Sequence, residues 1–247
     1  MIKGIYAAEA AMKPKMARLE VISNNLANMS STGFKRDKLF LRLLQDSVAS
    51  QARAAGELDG ISADRVIDFT PGALERTGNT LDLAIEGRGF FVVETPAGPR
   101  YTRNGHLTMA ADGTLTTEMG FPLSGEQGRI KIPDPERLDR AAITVTPEGE
   151  VAIGRDVVGK FALVDFDNLD DLRKDHQSLF LSAPGAILRE RTGDQIIVRQ
   201  GFLEESNVDA VEEMIAMIEL SRAFETDQRI IAAQDASLDR SLEVGRV

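Results

Sequence analysis

The sequence predicts an α+β fold: N- and C-terminal helices pair as a coiled-coil-like unit, and an antiparallel β domain is inserted between them. Three observations carry this. Apolar residues step by three and four at both ends of the chain. Short alternating strands separated by glycine-bearing turns fill the middle, and the two ends carry opposite charge.

The N-terminal helix is read from Ile5, Ala8, Met12, Met16, Leu19, Ile22 and Leu26, which share one face. Pro14 interrupts it. A proline inside a helix removes one hydrogen bond and crowds the preceding turn at about 3 kcal/mol, so a kink or break is expected there. Ser23, Asn24, Asn25, Leu26, Ala27 and Asn28, then Ser31, Thr32, Gly33, Phe34 and Lys35, end the pattern. Asn and Gly tolerate left-handed backbone and short polar side chains compete for backbone bonds, so a helix stop here has a mechanism. Lys38 to Leu44 suits a strand or a helical turn, and Gln51 to Gly60 reads as a mobile loop.

Thr80 to Ile85 and Phe90 to Glu94 are expected to form a hairpin across Gly87-Arg88-Gly89. Further turns are expected at Asn104-Gly105, at Asp112-Gly113 and at Pro147-Glu148-Gly149, the last joining Ile143–Thr146 to Glu150–Ile153. Strands over 158–166, 178–182 and 195–202 complete the set, with no long helix between them to support βαβ units. After Gly201 the period changes. Ser206-Asn207-Val208-Asp209 fits a capping box, with Glu212 and Glu213 near the positive helix end. Val211, Met214, Ile215 and Ile218 follow, and Met217, Phe224, Ile231, Leu238 and Leu242 form a narrow seam. Polar Ser221, Gln228 and Asp235 weaken that seam, so the helix needs a partner. Residues 1–38 hold seven Lys/Arg against three acids, and residues 204–247 hold four Arg against eleven acids. Opposite signs favour pairing of the two ends. The expected division is a helical segment 1–32, an extended bridging segment 33–77, a β domain 78–203 and a helical segment 204–247.

Composition excludes several chemistries. The chain has no Cys, hence no disulfide and no thiolate. Its net charge of −10 argues against a nucleic-acid binder. No apolar run approaches the roughly 18 residues of a membrane span, and no secretory signal is recognisable. Gly87-Arg88-Gly89 lacks the third glycine and following helix of a nucleotide fingerprint. The acid cluster Asp165 to Asp171 lacks the glycine and terminal Glu of a calcium loop, and reads instead as a short helix capped by Asn168. Asn28-Met29-Ser30 matches a glycosylation sequon, a chance match at a helix end. His106 has no nucleophile or base at readable spacing, and nothing assembles a catalytic set. Catalytic residues, cofactors and metals are therefore expected to be none.

Three blocks, in order, resemble the rod and hook axial family of the bacterial flagellum. The first is Ile22 to Asn28 with Thr32-Gly33-Phe34-Lys35-Arg36. The second is Gly78 to Val92, then Tyr101-Thr102-Arg103-Asn104-Gly105. The third is Gly201-Phe202-Leu203-Glu204 with Ser206 to Asp209 and Glu212-Glu213-Met214. Together they span nearly the whole chain. The length and single modest insertion are similar to a rod protein rather than a hook protein. Gly98-Pro99-Arg100 before Tyr101 favours the proximal over the distal rod type. The resemblance implies a structural subunit without catalysis, whose partners are other copies, other rod subunits and the flagellar type III export apparatus. It also implies a place in the periplasmic part of the rod, reached without a cleavable signal peptide. Ile5, Met12, Leu19, Ile22, Leu26, Val211, Met214, Ile218, Phe224, Ile231 and Leu238 are the expected helix-packing residues. Stiffening the chain at Gly33 should disturb assembly and leave the β domain folded. A soluble carbohydrate- or peptide-binding module with dimerising helices is the alternative.

Overall fold

A computed structural model describes residues 2–43, 61–133, 142–175, 178–190 and 196–244. The expected loop over 51–60 lies outside these residues, as do the side chains of Ile5 and Leu238. The fold is α+β, and its contacts divide it into two compact units. One, the terminal unit, comprises Met1–Ala27, Asp37–Asp68 and Val208–Val247; the other, the β unit, comprises Asn28–Arg36 and Phe69–Asn207.

The terminal unit begins with helix α1, Ile2–Ala27, which runs through Pro14 as one element. The expected break is absent. Met12 before Pro14 and Leu19, Ile22 and Leu26 after it are all half-buried or buried on an in-phase face, and that packing helps to offset the lost bond. Strands β1, Asp37–Leu43, and β2, Ile61–Ile67, form an antiparallel pair from Asp37↔Ile67 to Leu43↔Ile61, so the ambiguous 38–44 stretch is a strand. Helix α2, Ala210–Val244, closes the unit. It begins at Asp209, whose Oδ1 accepts from the backbone N–H of Val211 at 2.9 Å and of Glu212 at 3.1 Å. The cap thus falls three residues later than a box starting at Ser206, and Asn207 between them donates to Thr70.

The β unit holds the short strands. In chain order they are β3 (Leu74–Arg76), β4 (Leu83–Glu86), β5 (Phe90–Thr95), β6 (Gly98–Thr102), β7 (Leu107–Met109), β8 (Leu115–Thr117), β9 (Ser124–Gly125) and β10 (Gly128–Arg129). There follow β11 (Ile143–Val145), β12 (Glu150–Ile153), β13 (Asp156–Lys160), β14 (Leu163–Phe166), β15 (Leu172–Lys174), β16 (Leu179–Ser182), β17 (Leu188–Glu190), β18 (Ile197–Gln200) and β19 (Phe202–Glu204). The largest sheet has six strands in the order β15-β16-β6-β5-β14-β17, and every pairing is antiparallel. Turns at Asp112-Gly113 and Pro147-Glu148-Gly149 join β7 to β8 and β11 to β12 as expected, with Gly113 at φ 85° and Gly149 at φ 83°.

Two other expected hairpins do not form. β4 pairs with β18, and β5 pairs with β6 and β14. The Gly87–Gly89 connection is held apart from a hairpin turn: the Gly87 carbonyl accepts from Arg103 and the Arg88 guanidinium donates to the Phe166 carbonyl. At Asn104-Gly105, β6 and β7 likewise diverge, because Gly105 lies on the Leu83 carbonyl, where a Cβ would approach to 1.7 Å. Asn168 caps a single 3-10 turn, Leu169–Asp171, accepting from the Asp170 N–H at 3.2 Å.

Among the described residues the hydrophobic core cluster lies in the β unit. Phe91, Val93, Leu123, Ile132, Val151 and Phe161 sit at its centre at 1% exposure or less. Beside them Phe69, Phe90, Phe166, Phe180 and Tyr101 pack edge-on or tilted, with ring centroids 4.8–5.8 Å apart.

Candidate functional site in the three motif blocks

The first block contributes one buried polar pin to the terminal unit. Ser23, Asn24 and Ala27 are exposed and Leu26 is half-buried, while Asn25 is fully buried. The Asn25 carboxamide donates to the Glu213 carboxylate at 3.0 Å and to the Asp37 carbonyl at 3.0 Å, and accepts from the Asp37 N–H at 2.9 Å. One side chain therefore joins the end of α1, the start of β1 and the first turn of α2. A buried carboxamide with these bonds satisfied contributes to stability, whereas an unpaired partner costs about 1–3 kcal/mol.

A second contact along α1 carries the pairing further. Lys15 forms an ion pair with Asp227 at 2.5 Å, so the 15–227 and 25–213 contacts set α1 and α2 antiparallel. The α2 face that bears Glu213 and Asp227 also carries Met217, Leu220, Phe224 and Ile231, all half-buried. Met12 and Leu19 of α1 are half-buried and Ile22 is buried. The remaining expected packing residues lie elsewhere: Val211, Met214 and Ile218 are 61%, 45% and 54% exposed. They occupy the opposite side of α2, because positions 211, 214 and 218 fall on one helical stripe and 213, 217, 220 and 224 on another.

In the β unit all three blocks meet at Glu204. Its carboxylate accepts from the Lys35 ammonium at 2.5 Å, the Arg103 guanidinium at 3.2 Å and the Gly72 N–H at 3.0 Å. Its backbone carbonyl accepts from the Gly33 N–H at 2.7 Å. Lys35 also donates to the Thr70 carbonyl, and Arg103 to the carbonyls of Ile85 and Gly87 while lying over the Phe90 ring. These charges are out of water: the Lys35, Arg103 and Glu204 side chains are 0%, 4% and 1% exposed. Burial pulls the Arg103 guanidinium below its usual value, while Glu204, and Asp165 behind it, pull the other way. Gly33 (φ 66°) packs on the Arg103–Asn104 backbone, where a Cβ would meet the Asn104 nitrogen at 2.4 Å. The expectation that Gly33 can be stiffened without disturbing the β domain is therefore corrected, since Gly33 is part of that domain's packing.

An open cleft of about 510 Å³ lies beside this network, lined by Asn28, Ser30, Ser31, Thr32, Asn104, His106, Glu118, Ser178 and Leu203. Thr32 donates to the Asn104 carboxamide at 2.9 Å and Ser178 to the Thr32 carbonyl at 3.1 Å. His106 meets Asp82 at 2.7 Å through Nδ1, with Glu118 at 3.4 Å from Nε2. These groups hold one another in place. No described group of three or more His, Asp or Glu residues could hold a metal ion. The blocks were legible in the sequence, but the burial of Asn25 and Glu204 was not.

Comparison with known proteins agrees with this three-block layout. The family described as Flagella basal body rod protein matches residues 5–35, Flagellar hook protein FlgE/F/G D1 domain matches 84–153, and Flagellar basal body rod FlgEFG protein C-terminal matches 199–244. The Flagellar basal-body rod protein FlgF of Caulobacter vibrioides is 35% identical over 98% of this chain and 96% of its own length. The Flagellar basal-body rod protein FlgG of Bacillus subtilis is 32% identical over the full length of both chains. FlgF of Salmonella typhimurium is 31% identical over 98% of this chain and 97% of its own. With matched segments at both ends and the middle, and relatives aligned end to end, the chain belongs to the flagellar basal-body rod protein family, a structural family and not an enzyme family.

Proposed function

We propose that this rod subunit is of the proximal type and polymerises through its terminal helices, which pack in coiled-coil fashion with the helices of neighbouring copies and of other rod subunits around a central channel. One observation carries the reading. Of the twenty-nine buried apolar side chains among the described residues, only Val21 and Ile22 belong to the terminal unit. Helices with so small a core gain stability from partners, and folding there is coupled to assembly. The exposed Val211, Met214 and Ile218 suit such partners. Delivery by the flagellar type III export apparatus to the periplasmic part of the rod belongs to the same proposal. Among the described residues no helix is long and apolar enough to cross a membrane.

The test is a deletion strain complemented with the tagged chain, followed by isolation of basal bodies. The proposal expects loss of external filaments on deletion and the tag at the base of the rod. Filaments in the deletion strain would contradict the rod function. A tag in the outer part would favour the distal type, the second reading, which the full-length similarity to FlgG of Bacillus subtilis supports.

A further inference from the structure

The chain passes between the two units at four places, after Ala27, Arg36, Asp68 and Asn207. Within the β unit one side chain gathers three of these passages. The Asn207 carboxamide accepts from the Arg36 N–H at 2.7 Å, and donates to the Thr70 carbonyl at 3.0 Å and to the Thr70 hydroxyl at 3.1 Å. Arg36 and Asn207 each end a β-unit segment, and Thr70 is the second residue of the segment that begins at Phe69. The Lys35 ammonium adds a bond to the same Thr70 carbonyl at 2.9 Å. None of Arg36, Thr70 and Asn207 belongs to the buried core. Asn207 is not the cap of α2 either, since Asp209 fills that role.

A carboxamide suits this position because it carries an acceptor and a donor on one plane and can bond two backbone segments at once. A carboxylate there would still accept from Arg36, but would face the Thr70 carbonyl with an oxygen. Asp37, the next residue after Arg36, has its N–H and carbonyl bonded to Asn25 inside the terminal unit. Consecutive residues across one passage are thus each held by an asparagine of their own unit. We infer that Asn207 is a positioning residue for assembly: it clasps three of the four connecting segments at the β unit and fixes the directions in which they leave it. This rests on the reading of the chain as a polymerising subunit. Without the clasp the exits would have to be ordered anew in every subunit added, and that conformational entropy is charged against assembly, not against the β core.

The test compares the full-length wild-type chain with Asn207→Ala and Asn207→Asp. By amide hydrogen exchange, Arg36 in Asn207→Ala should exchange at least about tenfold faster, with Phe90–Thr95 unaltered. Asn207→Asp keeps the acceptor, so its Arg36 amide should stay within about threefold of the wild-type rate. Unchanged Arg36 exchange in Asn207→Ala, or fast exchange in both variants, would overturn the clasp. Equal acceleration across Phe90–Thr95 would make Asn207 a general stabiliser and overturn the positioning role. In the deletion strain, Asn207→Ala should restore external filaments to about a tenth of the wild-type level or less. Asn168→Ala, which removes a carboxamide from another surface turn of the β unit, should restore them fully. Full filaments with Asn207→Ala, or equal loss with Asn168→Ala, would overturn the proposal. Filaments in the uncomplemented deletion strain would instead contradict the rod function, and the exchange rates at Arg36 would still decide the clasp.

Discussion

The two units of this chain spend their apolar residues differently. The β unit holds twenty-seven of the twenty-nine buried apolar side chains among the described residues and exposes seven large ones. The terminal unit also exposes seven, Met16, Phe40, Val211, Met214, Ile215, Ile218 and Ile230, but buries only two. One unit is finished by its own packing. The other is held by directional bonds, such as Asn25 to Glu213 and Lys15 to Asp227, that fix geometry at modest net stabilisation. A subunit that must be a defined body and also merge with its neighbours needs both kinds of structure.

The largest effect that would sharpen this contrast is expected at Glu204. Glu204→Ala leaves Lys35 and Arg103 buried without their carboxylate, at a cost of about 3–5 kcal/mol. It should lower the urea midpoint of the β unit, followed by the near-ultraviolet signal of buried Tyr101. An unchanged midpoint would mean that the network is ornamental. Phe161→Ala, which opens a cavity beside Phe91, should cost a similar ~3–5 kcal/mol by the same measurement. Gly33→Ala comes next. The strained φ and the 2.4 Å approach should destabilise the β unit by about 1–3 kcal/mol, read again from the urea midpoint. In the terminal unit Asn25→Ala should cost about 1–3 kcal/mol and speed amide exchange at Asp37, leaving the β unit midpoint unaltered.

The smallest effect is one of pH. The N–H and hydroxyl of Thr114 hold the Asp112 carboxyl below its ordinary range. A depressed carboxyl contributes stability that is fully present above its unfolded value, near 3.9, and is lost as pH falls through the lower folded value. The Thr114 amide resonance should therefore hold steady down to about pH 4 and move only in stronger acid. Movement near neutral pH would contradict the assignment.

Much of the architecture was legible in the sequence because it depends on local periodicity. Met217, Phe224 and Ile231 step by sevens and do lie on one half-buried face; the turns at Gly113 and Gly149 follow from residues that accept positive φ. Partner choice was not legible. Nothing in the alternation of Leu83 to Ile85 tells that the strand pairs with Ile197–Gln200, more than a hundred residues away, and not with Phe90–Thr95 next to it. The same limit hid the convergence on Glu204: Lys35 and Arg103 are 169 and 101 residues from it along the chain. Val211, Met214 and Ile218 had a readable helical spacing, but spacing alone does not say which of two apolar faces of a helix meets its own chain.

Amide hydrogen exchange on a verified monomer and on the assembled protein tests the central contrast most directly. The prediction is strong protection across Phe90–Thr95 and Leu163–Phe166 in both states. Protection of Ala210–Val244 should be weak in the monomer and rise on assembly. Equal, strong protection of α2 and the β unit in the monomer would show that the terminal unit is already complete, and would contradict the account.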